Sequence, residues 1–534
     1  MPWSQSYDPM HAPWLSTLVA SAPVVVLLAL LASRRVRAPW AALAGLGLSL
    51  IVAIRFIGMP AGMAVRAALL GAAYGLFPIG WILLNVLFLY QLTVERGTFG
   101  VLQRSILHLT ADRRLQLVLI AFCFGAFFEG AAGFGTPVAV TAALLIGLGF
   151  APLEASGLSL IANTAPVAFG ALGTPLIALQ GVTGLDLREL SAAVGHQLPV
   201  FSMIVPFWLV AAYAGVRRTI EVWPALAVAG VSFAVPQFLI ATYHGPWLVD
   251  VTAAVISMTA LALFLRIWHP PRDVAAASTS PTDGAAPARR AVLLAWMPWA
   301  LLSAVVFAWG TPQVKAWLNT LSAPSVRIPG LHDMVMRVPP VVAAPKPEAA
   351  IFLFNWLSAT GSAIAVAALL AGLLMRFRPR ELFGAYAATL KRIGPSLLTI
   401  SAMLALGSVT RYSGADSVLG LAFAHAGVFY PFFGTLLGWL GVALTGSDTS
   451  SNVLFGGLQV VTAHQVGVSP VLMAAANSSG GVMGKMIDAQ SIVVAGTATH
   501  TQGQEGAILR SVFWHSLALA SLVGVWVMLQ AYVF

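Results

Sequence analysis

Long apolar runs, separated by short segments that carry arginines, dominate the chain. The first three runs extend from about Leu15 to Ala32, from Trp40 to Ile57 and from Ala67 to Leu92. Each approaches or exceeds the roughly 20 residues that a helix needs to cross the hydrocarbon core of a bilayer. The runs are continuous rather than alternating, which excludes a transmembrane β-barrel. The pattern therefore predicts an all-α polytopic integral membrane protein with about 12 to 14 membrane segments.

The apolar run from Leu115 to Gly149 is interrupted at its centre. Residues 129–137 read Glu-Gly-Ala-Ala-Gly-Phe-Gly-Thr-Pro, so glycines, a proline and a carboxylate stand where a spanning helix would continue. An unpaired backbone group in lipid costs several kcal/mol, so such a break survives only where protein or a wet cavity surrounds it. Secondary transporters bind their solutes at broken segments of this kind. The pattern predicts a re-entrant or broken-helix element and indicates transport.

A second interruption lies in the later part of the chain. The run from 430 to 467 breaks at residues 445–452, Thr-Gly-Ser-Asp-Thr-Ser-Ser-Asn, and again holds one acid. Each break is followed by an Asn-Thr or Asn-Ser pair and a glycine-rich second break, at 163–175 and 477–486. Paired interruptions at corresponding positions are typical of repeat-built transporters. We therefore expect two repeats, each with one re-entrant or broken element, and hypothesise that the repeats are inverted.

Polar stretches indicate where the two repeats divide. A segment rich in Pro, Ala, Ser and Thr at 269–290 is predicted to be a cytoplasmic linker. It separates an N-terminal transmembrane half, residues 1–268, from a C-terminal half, residues 291–534, and each half is expected to hold a hairpin and a broken helix. Within the second half, the proline-rich stretch 310–349 is predicted to be an external loop, longer than ordinary connections.

The placement of basic residues predicts the orientation of the chain. Arg34, Arg35 and Arg37 follow the first apolar run, and later arginines recur at intervals that return the chain to the same side. Because Lys and Arg accumulate on the cytoplasmic side, the N-terminus is predicted to lie outside. Arg55 and Arg66 fall on the predicted outer side and weaken this assignment slightly.

Composition and charge narrow the function classes. Hydrophobic residues make up 59% of the 534 residues, charged residues only 9%, and the mean hydropathy is +0.88. The net charge of +10 comes from arginines spread over many loops rather than one polybasic face, which disfavours a nucleic-acid partner. The single cysteine, Cys123, allows no intramolecular disulfide. The sequence shows no metal-ligand spacing, nucleotide fingerprint or Walker motif, so no metal or cofactor is predicted and ATP-driven pumping is disfavoured.

Two acids within the interruptions are the candidates for proton coupling. Ionised Glu129 at the bilayer centre would cost about 2.5 to 3.5 kcal/mol unless it is paired or faces water. A group near this balance changes protonation readily, whereas the alternative is a structural acid that accepts the freed amides of its own hairpin. Asp448 stands among residue types that cap helices, so capping and ligand contact are both open for it.

Neutral donors around the breaks are predicted to bind a small carboxylate. Backbone amides and polar side chains at half-helix N-termini can hold an anion without a permanent counter-charge, although the same groups could simply stabilise the breaks. The candidate substrate-binding residues are Gly133, Gly135, Thr136, Asn163, Thr164, Ser447, Thr449, Ser450, Asn452, Asn477, Ser478, Ser479 and Lys485.

Lys485 is the cationic member of this set and stands between glycines of the second half. It is predicted to attract an anionic substrate, or to pair with Glu129, Asp448 or Asp488. The alternative is a lysine that extends its ammonium group to a membrane interface.

Four segments resemble the signature sequences of the bacterial L-lactate permease family. They are Phe-Gly-Ala-Phe-Phe-Glu-Gly-Ala-Ala-Gly-Phe-Gly-Thr-Pro-Val-Ala at 124–139, Asn-Thr-Ala-Pro-Val-Ala-Phe-Gly at 163–170, Leu-Thr-Gly-Ser-Asp-Thr-Ser-Ser-Asn at 444–452 and Gly-Gly-Val-Met-Gly-Lys-Met-Ile at 480–487. The resemblance extends over the whole chain. Three positions depart from the pattern expected of the family: Arg411, His196 and the pair at 488–489. From their positions at the ends of apolar runs, Arg411 and His196 are predicted to be interfacial.

The resemblance implies a symporter rather than an enzyme. The implied cargo is L-lactate with related 2-hydroxy monocarboxylates, D-lactate and glycolate, carried with protons across the bacterial inner membrane. The implied partners are this substrate, protons and the lipid bilayer, and a homo-oligomer remains open. A sodium-coupled carboxylate carrier is the nearest alternative, and an integral membrane enzyme using Glu129, Asp448 and His196 is a more distant one.

Overall fold

The computed structural model describes residues 2–32, 36–107, 110, 112–131, 133, 136–270, 288–342, 344–501 and 504–533. This part of the chain is almost wholly helical. Nine of its helices are long and apolar enough to cross a membrane, or eleven if each of two bent pairs counts as one span, and three shorter apolar helices accompany them. The prediction of an all-α, multi-pass membrane protein is confirmed.

The first fifteen helices lie before the polar segment at 269–290. They are α1 (Pro13–Ala32), α2 (Ala38–Ile51), α3 (Ala61–Tyr74), α4 (Trp81–Glu95), α5 (Thr98–Leu107), α6 (Arg113–Leu117), α7 (Gly125–Ala131), α8 (Thr136–Gly147), α9 (Pro152–Ala162), α10 (Gly170–Thr183), α11 (Leu187–Gln197), α12 (Pro199–Ala214), α13 (Val216–Glu221), α14 (Trp223–Tyr243) and α15 (Val249–Phe264). Segments of π-helix extend α2, α3 and α6, at Val52–Phe56, Gly75–Gly80 and Val118–Phe124.

Ten further helices and five short strands complete the described chain. The helices are α16 (Arg289–Gly310), α17 (Pro312–Leu321), α18 (Thr360–Leu374), α19 (Pro379–Ser413), α20 (Ala415–Phe423), α21 (Tyr430–Thr445), α22 (Asp448–Val466), α23 (Pro470–Gly484), α24 (Ala489–Ala498) and α25 (Glu505–Tyr532). The strands are β1 (Trp3–Ser4), β2 (Ser325–Arg327), β3 (Val335–Arg337), β4 (Lys346–Pro347) and β5 (Ile351–Leu353).

The long loop between α16 and α18 is not plain coil. It holds the amphipathic helix α17, the antiparallel pair β2–β5, and the strands β3 and β4. These two strands join β1 in a three-stranded sheet in the order β1-β3-β4. In that sheet the N-terminal strand β1 runs parallel to β3. The predicted external loop therefore lies beside the N-terminus, as its predicted location on the same side requires.

The molecule has two ends, which we call the N-terminal face and the arginine face. The N-terminal face carries β1 and the loop between α16 and α18. At the arginine face, Arg96 pairs with Glu381 at 3.1 Å and Arg114 pairs with Glu221 at 2.7 Å. Helix α1 has 20 residues, or about 30 Å, which matches the thickness of a bilayer core.

Helices α6, α7 and α8, within residues 113–131 and 136–149, form the first hairpin, which enters from the arginine face and returns to it. Helices α6 and α7, joined by π-helix, lead inward, and α8 leads back. The return is fixed at the open end, where Arg113 Nη2 donates to the carbonyl of Leu148 at 3.3 Å. Helices α9 and α10 then form the first broken helix, with a bend of 63°. At this break Ala171, Leu172 and Gly173 have φ of 44°, 56° and 81°, left-handed values that only glycine adopts without strain.

Residues 430–466 form the second hairpin, α21 and α22, which enters from the opposite side. Its open end lies at the N-terminal face, where Gln465 Nε2 donates to the carbonyl of Pro340 at 2.9 Å. Helices α23 and α24 then form the second broken helix, which ends at the arginine face. There the hydroxyls of Ser156 and Thr499 are 2.8 Å apart. The two hairpin-and-broken-helix units thus run in opposite directions.

Each hairpin packs against the broken helix of the other unit. Helix α22 contacts α10, and α8 contacts α24. The amide of Asn452 ties the first pair together by donating to the carbonyl of Pro175 at 3.2 Å. The division of the chain into halves at 269–290 stays a prediction, because residues 271–287 lie outside the described residues.

Candidate functional site

A cavity of about 220 Å³ lies where the tips of the two hairpins meet. Both hairpins and both broken helices contribute to its wall, together with α2 and α19. Of the residues predicted from the sequence, the lining includes Glu129, Gly133, Ser447, Asp448, Thr449, Ser450 and Lys485. The acids of the two interruptions, Glu129 and Asp448, which are 319 positions apart in the chain (448 − 129), therefore face one space.

Glu129 is the acid of the first hairpin and lies in the last full turn of α7. It is 4% exposed, and its Oε2 atom accepts no hydrogen bond. The side chain of Asn163, at the break of the first broken helix, lies beside this carboxyl. Gly170 faces it so closely that a Cβ there would come within 2.6 Å of Oε1. The buried carboxyl thus lines the cavity and has few hydrogen-bond donors around it.

Aromatic side chains surround the hairpin behind Glu129. Phe128 packs edge-on against Phe124 with ring centroids 4.7 Å apart, and Phe127 packs against Trp299 at 5.2 Å. All four side chains are buried. This wall is apolar, so it offers an ionised Glu129 no compensation for the loss of water.

Asp250 is a buried acid that the sequence analysis missed. It lies in the first turn of α15, is 1% exposed, and neither of its carboxyl oxygens has a hydrogen-bond partner. Its Cβ contacts the backbone at Gly130, and its carboxyl interacts electrostatically with Glu129. An acid inside an apolar run was the available signal, but no glycine or proline break draws attention to it.

Asp448 is the acid of the second hairpin and begins α22. The helix is capped by the neighbouring Ser447, whose hydroxyl accepts from the amide of Ser450 at 3.3 Å. Ser447, and not Asp448, is therefore the residue that caps α22. The Oδ2 atom of Asp448 accepts from Ser478 Oγ at 2.5 Å and from Asn452 Nδ2 at 3.3 Å, whereas Oδ1 has no partner.

A chain of buried polar groups holds Asp448 from behind. Asn477 Nδ2 donates to Asn452 Oδ1 at 2.9 Å, and Gln459 Nε2 donates to Asn477 Oδ1 at 3.1 Å. The Tyr430 hydroxyl completes the chain by donating to Gln459 Oε1 at 2.6 Å. Asn452, Asn477 and Ser478 therefore support the site rather than line it, and Gln459 and Tyr430 are supporting residues that the sequence analysis did not name.

Lys485 lines the cavity at the break of the second broken helix. Its Nζ donates to the carbonyl of Gly446 at 2.6 Å and lies 3.4 Å from Asp488 Oδ2. Of the predicted alternatives, the ion pair of Lys485 with Asp488 is the one that forms. The charge of Lys485 also interacts electrostatically with Glu129 and Asp448. Lys485 is 5% exposed, so it does not extend to an interface.

Several predicted residues stand apart from the cavity wall. Thr164 is buried and its hydroxyl donates to the carbonyl of Ile161 at 2.8 Å, while the buried hydroxyl of Ser479 has no partner. Gly135 and the side chain of Thr136 lie outside the described residues. In turn, Thr174, Ser396 and Thr399 line the cavity without having been predicted. Ser396 and Thr399 belong to α19, a continuous helix in which the internal Pro395 was the available signal.

Two of the three departures, Arg411 and His196, lie away from this cavity, whereas Asp488 of the third pairs with Lys485 in its wall. Arg411 ends α19 at the N-terminal face, where its guanidinium pairs with Glu348 of the long loop at 2.6 Å and donates to the carbonyl of Val182 at 3.1 Å. His196 lies at the end of α11, is exposed, and packs edge-on against Phe238. Arg411 therefore joins the loop to α10 instead of anchoring the chain in an interface.

The comparison with known families decides the relationship. The sequence profile of the L-lactate permease family matches residues 16–534. The chain belongs to the L-lactate permease family. The glycolate permease GlcA of Escherichia coli K12 is 46% identical over 100% of this chain and 98% of its own length. The L-lactate permease of the same strain is 44% identical over 99% of this chain and 98% of its own length.

A solved structure also resembles the fold of this permease family member at low similarity. The Neisseria gonorrhoeae protein MtrF, described with a class of antimetabolite efflux pumps, is 14% identical and has a TM-score of 0.46. The match covers 89% of this chain and 84% of MtrF.

Proposed function

We propose that this protein is a secondary active transporter that imports L-lactate and related 2-hydroxy monocarboxylates, D-lactate and glycolate among them, together with protons. The observation that carries the proposal is the meeting of two oppositely directed hairpins at one cavity that holds two acids and a lysine. The relatives named as lactate and glycolate permeases support the choice of cargo. The proposal places the protein in a bacterial inner membrane, with the N-terminal face in the periplasm.

The second hairpin is the part of the site that suits a carboxylate. The N-terminus of α22, a helix of 19 residues, points its free amides at the cavity, and an anion is stabilised there. Thr449 and Ser450 line the same wall. Lys485 is the one cationic side chain in the lining that the described residues provide. Its ammonium also pairs with Asp488 at 3.4 Å, so a substrate carboxylate at this wall would compete with Asp488 for the lysine.

The first hairpin is the part that suits a proton. Glu129 and Asp250 are two buried carboxyls in electrostatic contact, and three of their four oxygens lack a hydrogen-bond donor. Neutral carboxyls tolerate such a site better than carboxylates do. We assign proton binding to Glu129 with Asp250 behind it, and we keep Asp448 as the second candidate.

Charge balance gives the reason for coupling. Moving one negative charge into a cell against the membrane potential costs about 2.3 kcal/mol per 100 mV. A proton carried with each carboxylate makes the cycle electroneutral and removes this cost. The same proton gradient then drives accumulation when the internal solution is more alkaline.

Uptake by proteoliposomes tests the proposal. Adding lactate outside sodium-free vesicles should make the external medium more alkaline, and labelled lactate should be concentrated without conversion. Glycolate and both lactate isomers should compete, whereas dicarboxylates should compete weakly because the wall offers one lysine. Sodium-dependent uptake without proton movement would favour the sodium-coupled alternative, and chemical conversion of the label would favour an enzyme.

A further inference from the structure

A second and larger cavity, of about 490 Å³, opens at the N-terminal face; we call it the vestibule. Helices α10, α17 and α19 and the loop before α18 form its wall. Its polar and charged lining includes Gln180, Lys315, Asn319, Asn355, Arg411 and Tyr412. The vestibule lies on the other side of the molecule from Ala38 and Pro39, which line the cavity between the hairpins.

The two cavities lie along the same two helices. On α10, Thr174 and Pro175 line the inner cavity and Ile177 lines the vestibule. On α19, Ile400 lines the inner cavity and Leu404 lines the vestibule. Two to four residues of helix, about 3 to 6 Å, separate the two linings on each helix. The inner end of the vestibule therefore lies close to the site between the hairpins.

The two cations of the vestibule differ in their pairing. Arg411 is neutralised by Glu348, with Nη2 and Oε1 2.6 Å apart. The ammonium of Lys315, in contrast, makes no ion pair and no hydrogen bond with any residue that the structure describes. It makes a cation–π contact with the ring of Trp247, whose centroid lies 5.7 Å from Nζ. Lys315 is thus a charge without a counter-ion at the wall of an open cavity.

The surroundings of Lys315 leave room for an anion. Burial lowers the pKa of Lys315 because desolvation disfavours the ammonium, and Arg188 acts in the same direction while Asp186 opposes both. An anion entering the vestibule would offset this desolvation by pairing with the ammonium. Gln180, Asn319 and Asn355 line the same space and supply neutral polar groups around the charge.

We propose that Lys315 binds the carboxylate of the incoming substrate in the vestibule, before it reaches the site between the hairpins. This inference rests on the proposed function and names a second binding site for the same monocarboxylate. Since the pair forms in a partly wet cavity, the site captures the anion and raises its local concentration rather than holding it tightly.

Cysteine chemistry gives the test, because the only natural thiol, Cys123, is fully buried. Lys315→Cys should raise the KM for lactate uptake about tenfold and leave the maximal rate near its original value. Modification with aminoethyl methanethiosulfonate, which restores a positive charge, should return the KM toward that of the unmodified protein. The negatively charged sulfonatoethyl reagent should raise the KM further. Lactate should also slow labelling of Cys at 315 by an impermeant reagent added outside.

Lys346→Cys is the matched control. Lys346 lies at the same face in the same loop, is exposed, and does not line the vestibule. Its replacement and modification should leave KM unchanged. Equal KM values for Lys315→Cys and the unmodified protein, equal effects of both reagents, or labelling insensitive to lactate would overturn the vestibule site while lactate uptake by the unmodified protein still supported the proposed function. Absence of uptake by the unmodified protein would remove both.

Discussion

The two hairpins share one design and differ in how they treat their acid. In the first, Glu129 has an oxygen without a donor, an unpaired Asp250 beside it and aromatic rings behind it. In the second, Asp448 accepts from Ser478 and Asn452, and a further layer of amides fixes those donors. The difference indicates that the two acids have different roles. A buried carboxyl without donors favours the protonated form, whereas donors hold the carboxyl of Asp448 in one orientation.

The placement of the lysine extends this contrast. Lys485 stands at the tip of the second hairpin, where it donates to the carbonyl of Gly446 and pairs with Asp488. On the side of the first hairpin, the described lining of the cavity holds no cation. The proposed roles follow this contrast, with the anion assigned to the wall of the second hairpin and the proton to the wall of the first.

Glu129→Gln gives the largest expected effect. A carboxamide resembles a carboxyl that never releases its proton, so lactate should no longer accumulate against its gradient and should reach only equilibrium. Exchange of labelled for unlabelled lactate should persist, because the loaded carrier needs no deprotonation to turn over. Proton-driven accumulation and counterflow in proteoliposomes measure both quantities.

Asp448→Asn provides the comparison for that variant. An Asn side chain at 448 can still accept the hydroxyl of Ser478, so accumulation should be slower but not abolished. If Asp448→Asn abolishes accumulation while Glu129→Gln retains it, the roles assigned to the two hairpins are reversed.

Ser478→Ala should have the next largest effect. It removes the 2.5 Å hydrogen bond to Asp448, and a hydrogen bond to a charged group contributes about 1.5 to 3 kcal/mol. The kcat/KM for lactate uptake should therefore fall roughly 10- to 100-fold. Ser479→Ala is the matched control, because the neighbouring hydroxyl is equally buried and has no partner. Equal losses in both variants would show that Asp448 does not depend on this donor.

Asp250→Asn should weaken coupling more modestly. It keeps the size of the side chain beside Gly130 and removes a second proton-binding group next to Glu129. We expect the accumulation ratio to fall several-fold, up to about tenfold or 1.4 kcal/mol, with exchange nearly unchanged. Unaltered accumulation at all external pH values would leave Asp250 without a part in proton transfer.

Gly438→Ala should have the smallest effect on transport and a measurable one on stability. A Cβ at Gly438 would collide with the carbonyl of Asn477, since α21 and α23 pack through small residues. Overpacking costs about 1 to 3 kcal/mol, so Tm in detergent should fall by a few °C. Gly147→Ala in the first hairpin is the control, because nothing lies within 4 Å of its added Cβ. Equal Tm values for the two variants would contradict this packing difference.

Much of the architecture could be predicted because lipid permits few backbone conformations. Backbone groups must bond within helices, so continuous apolar runs predicted the spans. The glycine-rich breaks around Glu129 and Asp448 predicted the hairpins, and both acids do line one cavity. The assignment of roles to individual residues stays a prediction, and the split at 269–290 does too.

What the sequence determined by itself was local: spans, interruptions, and acids placed where an apolar run should not hold them. The tertiary structure decided which distant groups meet. Asp250 reaches Glu129 through the packing of α15 on α7, and Ser396 and Thr399 reach the cavity from an unbroken helix of 35 residues. Nothing in the sequence distinguishes Lys315 from other lysines of the long loop, and only the position of α17 places it in the wall of the vestibule. Such contacts depend on which helix faces pack together, and a regular helix carries no residue pattern that names its neighbour.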